Sequence, residues 1–195
     1  MSADEPNQLS SASVTPGQIA TRRIHTGRII NLDSDTVRFP DGSTGEMDMI
    51  RHPGASAIVP FLGDPTGADP QILLLKQYRY AAGQFLYEIP AGRLDVGEDP
   101  RDCAIRELRE ETGCSARGME HLYTMFTTPG FTDEKIHVFM ASGLESGDHA
   151  READEFISVE TMTMSRALQL IHTGEIQDAK TALGILFAAG FRAGH

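Results

Sequence analysis

The chain has 195 residues, enough for a domain with a buried core, and a formal net charge of −11 at pH 7. This charge argues against a nucleic-acid backbone or an anionic membrane surface as a partner. No apolar run is long enough to cross a bilayer, and the N-terminus lacks a signal-peptide pattern, so we expect a cytoplasmic protein. Its two cysteines, Cys103 and Cys114, are expected to be free thiols.

The N-terminal quarter divides into a tail and a strand-rich segment. Residues 1–20 are polar and rich in Ser, with two Pro, which predicts a mobile tail. Residues 21–52 are predicted to form a small antiparallel N-terminal sheet, in which Pro40-Asp41-Gly42 makes a hairpin turn. The predicted strands of this sheet are 23–31, 35–39 and 44–51.

Residues 53–195 alternate between apolar strands and helical patterns and form the predicted main domain. Such alternation predicts an α/β fold, with a mixed sheet flanked by helices. The expected strands are 55–62, 71–78, 85–89, 121–126, 136–141 and 156–159, and helices are expected over 164–173 and 178–189.

A further helix is predicted in the most informative run of the chain, Gly92 to Cys114. Asp99 suits an N-cap, Pro100 the first helical position, and Gly113 a C-terminal stop. At about 100° per residue, Glu107 and Glu111 project about 40° apart and Glu110 lies on the same side. Arg106 stands one turn before Glu110 and can pair with it.

Acidic runs of this kind are usually solvated helix faces, and a bound divalent cation is the alternative. The spacing favours the cation. Gly92, Glu98 and the run from Arg106 to Gly113 reproduce the signature of the Nudix hydrolases at every position, and only Cys114 departs slightly from the usual larger aliphatic residue. The resemblance implies an α/β/α sandwich with the motif as a loop–helix–loop.

Outside the motif, three segments resemble the ADP-ribose pyrophosphatase subgroup: residues 76–79, 87–92 and 128–134, the last of which contains Pro129. The resemblance implies hydrolysis of ADP-ribose to AMP and ribose 5-phosphate, by a homodimer that exchanges its N-terminal region. Two alternatives stay open. One is cleavage of another nucleoside diphosphate sugar such as GDP-mannose, and the other is a Nudix module that binds a nucleotide without cleaving it.

The resemblance also implies roles for residues of the motif. Glu107 and Glu111 are the expected main ligands of Mg²⁺, with Mn²⁺ as the alternative metal. Glu110 and the backbone carbonyl of Ala91 are further ligands, and Glu98 acts through water or orients the helix. Mg²⁺ suits this set because it prefers oxygen ligands and keeps several waters. The expected partner is therefore a small nucleoside diphosphate bound through metal.

Two positions are open for the general base that activates water. It is either a glutamate of the motif, for which Glu110 is the candidate beside Arg106, or a glutamate at the end of the loop 143–154 or directly after it. There Glu155 matches best and Glu152 is the reserve. The expected substrate contacts are Arg79, Glu88, Arg93, Pro129 and Glu134. The chain has no tryptophan to stack a base, and Phe39 and Tyr80 are the alternatives for that role.

Overall fold

The computed structural model describes residues 15–147 and 157–191, in two compact units. The first unit comprises the described residues up to His52 together with 130–133, and the second comprises 53–129 and the described residues from 134 onward. Residues 1–14 of the predicted tail lie outside the described residues, whereas residues 17–20 belong to the first strand.

The first unit is a three-stranded antiparallel sheet in the order β1-β2-β3. Its strands are β1 (Gly17–Thr26), β2 (Asn31–Arg38) and β3 (Thr44–Arg51). The prediction of one strand over 23–31 was wrong, because the chain reverses there and the Gly27 N–H donates to the Ile30 carbonyl at 2.9 Å. The predicted turn at Pro40-Asp41-Gly42 is confirmed by a 2.9 Å hydrogen bond from the Gly42 N–H to the Phe39 carbonyl.

Two buried carboxylates, Asp33 and Asp35, lie on the middle strand of this sheet. Arg51 pairs with both, and Arg23 pairs with Asp33. Burial of a carboxylate is costly unless it is paired, and here the cations hold the pKa of Asp33 below its usual value. Arg51 also contacts Asp133 at 3.2 Å, which attaches residues 130–133 to this unit.

The second unit contains a seven-stranded mixed sheet with the strand order β10-β5-β4-β9-β8, in which β6 pairs with β5 and β7 with β4. Its strands are β4 (Ala55–Leu62), β5 (Gln71–Arg79), β6 (Gln84–Glu88), β7 (Ala91–Arg93), β8 (Cys114–Phe126), β9 (Lys135–Ser146) and β10 (Ile157–Thr163). The pairing of β4 with β9 is parallel and the other pairings are antiparallel. β8 begins directly after the first helix, seven residues earlier than the predicted start at 121.

Helices cover both faces of the sheet: α1 (Pro100–Thr112), α2 (Met164–His172) and α3 (Ala179–Phe191). Successive residues of a strand point to opposite faces. In β4, Ala57 and Val59 accordingly pack in the cluster that includes α2 and α3, while Ile58 packs with Ala104 and Leu108 of α1. The predicted α/β/α sandwich is confirmed. Within residues 15–147 and 157–191, no helix is both long and apolar enough to traverse a membrane.

Candidate active site

Helix α1 begins and ends where its sequence predicts. The Asp99 side chain accepts a hydrogen bond from the Arg101 N–H at 2.8 Å, and Pro100 follows as the first helical residue. At the other end, Gly113 has a φ of 71°, and its N–H donates to the Arg109 carbonyl at 2.9 Å. Glycine suits this position because a side chain disfavours the left-handed conformation.

The buried side of α1 carries carboxylates as well as apolar groups. Glu107 is 9% exposed and Glu111 is 4% exposed, and they lie beside the buried Cys103, Ala104 and Leu108. A solvated acidic face would leave such side chains in water. For Glu107 and Glu111 the structure therefore contradicts the solvated-face interpretation, and their burial requires a specific compensating environment.

Part of that environment is the backbone of β7. The Ala91 N–H donates to Oε2 of Glu111 at 2.8 Å. At the next residue, a Cβ built on Gly92 would lie 1.9 Å from the carboxyl carbon of Glu107. A side chain at 92 would therefore displace the Glu107 carboxylate from its place beside β7. Strand β7 thus contacts both buried carboxylates of α1.

Arg106 connects the remaining carboxylates of the motif. Its Nε and Nη2 donate to the two oxygens of Glu98 at 2.9 and 3.0 Å, and its Nη1 donates to Glu110 at 3.0 Å and also to Glu107. The predicted pairing of Arg106 with Glu110 is confirmed. The hydrogen bonds from Arg106 lower the pKa of Glu98 to about 2, and those to Glu98 and Glu107 raise the pKa of Arg106.

The donor set fits a hard divalent cation by its chemistry. Glu107 and Glu111 present carboxylate oxygens on one shielded side of α1, and such oxygens are what Mg²⁺ prefers. Among the described residues, no three acidic, His or Cys side chains already form a coordinating group. Arg106 instead holds the carboxylate of Glu98, which also accepts from the Asp95 N–H at 2.9 Å. Glu98 therefore ties the preceding loop to the helix.

Arg79 and Glu88 form a two-pronged ion pair at the ends of β5 and β6. Arg79 Nε and Nη2 donate to the two carboxylate oxygens of Glu88 at 2.6 and 2.8 Å, and Lys180 of α3 also donates to Glu88. Glu88 is 2% exposed, and burial opposes its ionisation, but the hydrogen bonds and charges of Arg79 and Lys180 keep its pKa below the ordinary value. The Arg79 side chain is 43% exposed, and Glu88, followed by the charges of Glu111 and Asp178, raises its pKa.

Two of the other predicted substrate residues, Arg93 and Glu134, have hydrogen-bond partners within the second unit. Arg93 is exposed in β7, and its carbonyl accepts from Arg106 at 3.1 Å. Glu134 accepts a hydrogen bond from the Thr127 hydroxyl at 2.9 Å. This bond joins the two ends of the loop 127–134, in which Pro129 is exposed. Phe39 and Tyr80 are both exposed. The candidate bases Glu152 and Glu155 lie outside the described residues.

Three polar residues at the start of α3 escaped the sequence analysis. Lys180 pairs with Glu88 and with Asp178, and the fully buried Thr181 donates its hydroxyl to Asp178 at 2.6 Å. Two signals were available. Glu88 is an acid that follows Phe85, Leu86 and Tyr87 in an otherwise apolar strand end, and Lys180 is the single cation in the described part of an apolar helix. Each requires a partner of opposite charge.

Comparisons with known proteins agree with this geometry. The family model described as the NUDIX domain matches residues 51–182. The chain is 39% identical over 171 residues to a methanol dehydrogenase activator of Bacillus methanolicus, covering 87% of this chain and 90% of that protein. It is 37% identical to an ADP-ribose pyrophosphatase of Bacillus subtilis with the same coverage. It is also 39% identical to one of Mycobacterium tuberculosis, over 86% of this chain and 80% of that protein.

A solved structure supports the same fold. The crystal structure of an ADP compounds hydrolase superposes with a TM-score of 0.80, covering 95% of this chain and 98% of that one. Its sequence identity is 19%, so this likeness concerns the arrangement of the chain alone.

Proposed function

We propose that this chain, which belongs to the NUDIX family of hydrolases, cleaves the diphosphate bond of ADP-ribose to give AMP and ribose 5-phosphate. The observation that carries the proposal is the pair of buried carboxylates, Glu107 and Glu111, held on one side of α1 against the backbone of β7. The similarity to two ADP-ribose pyrophosphatases, which align with most of the chain, supports the choice of substrate.

Glu107 and Glu111 would hold Mg²⁺, or Mn²⁺ in its place, with Glu110 and the Ala91 carbonyl as further ligands. The bound cation would neutralise charge on the diphosphate oxygens, which otherwise repel a nucleophile. Arg106 holds the ligand helix in place, because it joins Glu107 and Glu110 to Glu98 in the preceding loop. Arg106 thereby keeps these carboxylates close together before the cation binds, although the carboxylates repel one another.

Arg79 is the proposed phosphate contact. Glu88 binds its Nε and Nη2 side, which fixes the plane of the guanidinium while the side chain stays 43% exposed. A planar guanidinium held in this way can donate to phosphate oxygens with little further loss of conformational freedom. In this proposal Glu88 acts by orienting Arg79. Arg93, Pro129 and Glu134 are further proposed substrate contacts.

Water is activated, in this proposal, by a carboxylate that accepts its proton. Glu155 is the first choice, Glu152 the reserve, and Glu110 the candidate within the motif. Glu110 is more exposed than Glu107 and Glu111, with one oxygen held by Arg106.

We also infer a homodimer that works in the cytoplasm. Every residue of β1 is exposed in the single chain, including the large apolar side chains of Ile19 and Ile24, and a second copy would cover them. Both cysteines are unpaired, as in a reducing compartment. Light scattering tests the dimer, and a strictly monomeric protein at micromolar concentration would contradict it.

A panel of nucleoside diphosphate sugars tests the substrate. With Mg²⁺ present, release of monophosphates is followed by phosphatase coupling for ADP-ribose, GDP-mannose and related compounds at equal concentration. We expect the highest kcat/KM for ADP-ribose. If GDP-mannose is preferred, the reaction class stands and the substrate changes, in line with the 37% identity to a GDP-mannose pyrophosphatase of Escherichia coli over 125 residues. If no compound is cleaved but one binds, the chain is the non-catalytic module.

A further inference from the structure

Four consecutive residues, Glu88 to Ala91, are each bound by other elements of the second unit. The Glu88 carboxylate binds Arg79 of β5 and Lys180 of α3. The Ile89 N–H donates to the Thr181 hydroxyl at 2.8 Å, and the Pro90 carbonyl accepts from the Ile58 N–H at 2.8 Å. The Ala91 N–H donates to Glu111. This segment, residues 88–91, is followed by Gly92. Ala91 and Gly92 lie against Glu111 and Glu107, the two buried carboxylates of α1.

A single carboxylate orients both polar side chains that α3 directs to this segment. Oδ2 of Asp178 accepts from Lys180 Nζ at 2.9 Å, from the Thr181 N–H at 3.0 Å and from the Thr181 hydroxyl at 2.6 Å. Asp178 thereby caps α3 and orients both side chains that reach the segment. Because the Thr181 hydroxyl donates to Asp178, its oxygen lone pairs remain available to accept from the Ile89 N–H.

We propose that Lys180 and Thr181 are positioning residues that set the place of β7 against α1 and thereby the affinity of Glu107 and Glu111 for a divalent cation. The inference rests on the proposed function, because it assumes that these carboxylates hold the cation. It assigns α3, on the opposite face of the sheet from α1, a role in the site through residues 88–91.

Hydrogen bonds and close contacts restrict the position of this segment. The Thr181 hydroxyl accepts from the Ile89 N–H, two residues before the Ala91 N–H that binds Glu111. One residue further on, the Gly92 backbone already contacts the Glu107 carboxylate so closely that no Cβ fits. A displacement at Ile89 would therefore change both contacts. Metal affinity is sensitive to such indirect supports.

The test measures metal binding directly, by titrating Mn²⁺ into the full-length protein and following the free-ion signal by electron paramagnetic resonance, without substrate. Thr181→Val keeps the shape and removes the hydroxyl, and Lys180→Met keeps the length and removes the charge. We expect each to weaken Mn²⁺ binding by about tenfold. Thr181→Ser, which retains the hydroxyl, should restore the dissociation constant to within about twofold of the parent.

Two controls separate positioning from loss of stability. Ile185→Val removes a methylene from the buried side of the same helix, and Gln177→Ala removes the 2.8 Å contact to Gln84 outside residues 88–91. Ile185→Val should lower the Tm, and both controls should leave Mn²⁺ affinity unchanged. If Ile185→Val weakens binding as much as Thr181→Val at equal loss of Tm, the role of Thr181 is merely structural and the proposal is overturned.

The remaining outcomes are also decisive. Unchanged Mn²⁺ affinity in both Thr181→Val and Lys180→Met overturns the proposal while leaving the proposed function intact. A parent protein that binds no Mn²⁺ overturns the metal assignment itself, and the positioning role with it. Should a variant fail to fold, Thr181→Ser and Thr181→Ala provide a graded pair in which the loss of affinity must follow the loss of the hydroxyl.

Discussion

Arg106 holds Glu98 with two hydrogen bonds, from Nε to one carboxylate oxygen at 2.9 Å and from Nη2 to the other at 3.0 Å. This two-pronged geometry is available to arginine and not to lysine. The Nη1 atom of the same guanidinium reaches Glu107 and Glu110. One cation thus offsets the repulsion among three carboxylates and joins the loop before α1 to the helix.

Replacement of Arg106 should lower stability in proportion to what the new side chain lacks. Arg106→Met removes a cation that pairs with the buried Glu107, and we expect a loss of about 3 kcal/mol or more in the free energy of unfolding. Arg106→Lys keeps the charge but cannot make both hydrogen bonds to Glu98, and it should lose less unfolding free energy than Arg106→Met. Urea unfolding of the metal-free proteins measures both. Equal stability of Arg106→Met and the parent would contradict this account.

The same pair predicts how stability depends on pH. Arg106 lowers the pKa of Glu98 from 4.5 to about 2 in the folded protein, so Glu98 stabilises the fold fully above pH 4.5. This contribution is lost as the pH falls from 4.5 toward 2, because the unfolded chain then binds the proton first. Unfolding free energies of the parent and Glu98→Gln, measured in EDTA, should differ at pH 7 and converge across that window. A difference independent of pH would refute the assignment.

The sequence predicted α1 closely because its signals are local. Asp99, Pro100 and Gly113 act within one turn of themselves, so the bounds of the helix follow from neighbouring residues. The strand over 23–31 was mispredicted although its reversal is also local. Its strand-like residues conceal a hairpin in which the Gly27 N–H donates to the Ile30 carbonyl and Thr26 pairs with Asn31.

The candidate site combines features that local sequence predicts with contacts between residues far apart in the chain. The α-helical period places Glu107 and Glu111 on one side from sequence alone. The closeness of Gly92 to Glu107 depends on where β7 pairs with β4, which no local pattern encodes. Lys180 lies 92 residues from Glu88, and their pairing requires the packing of α3 on the sheet. Such long-range contacts are fixed by tertiary packing.

Glu111→Gln tests the metal assignment with little disturbance of the fold. The amide oxygen of glutamine can still accept the Ala91 N–H, so the Tm of the metal-free protein should change little. The charge that would bind the cation is gone, and kcat should fall by at least about 100-fold, a few kcal/mol in transition-state stabilisation. Activity unchanged at saturating Mg²⁺ would show that Glu111 is not a ligand.

Three substitutions separate the candidate bases. Glu155→Gln, Glu152→Gln and Glu110→Gln each remove one proton acceptor, and loss of the true base should lower kcat by about 100- to 10,000-fold with a smaller change in KM. The measurement is a full kinetic profile with ADP-ribose from pH 6 to 10. If Glu155→Gln and Glu152→Gln both retain near-parental kcat, the base lies within the motif and Glu110 becomes the candidate.

Gly92→Ala probes the contact between β7 and α1. The added Cβ would lie 1.9 Å from the Glu107 carboxyl carbon, a separation that cannot be tolerated, so either the carboxylate or the strand must move. We expect Mn²⁺ binding and kcat both to fall by at least about tenfold, since metal sites depend on the placement of their ligands.

Gly190→Ala is the matched control for Gly92→Ala. It lies in α3 with no heavy atom within 4 Å of the added Cβ, and alanine should stabilise a helix there by up to about 1 kcal/mol. Its metal binding should equal that of the parent. If Gly92→Ala also bound Mn²⁺ like the parent, Glu107 could leave its place beside β7 at no cost to the cation. The buried position of this carboxylate would then be irrelevant to metal binding.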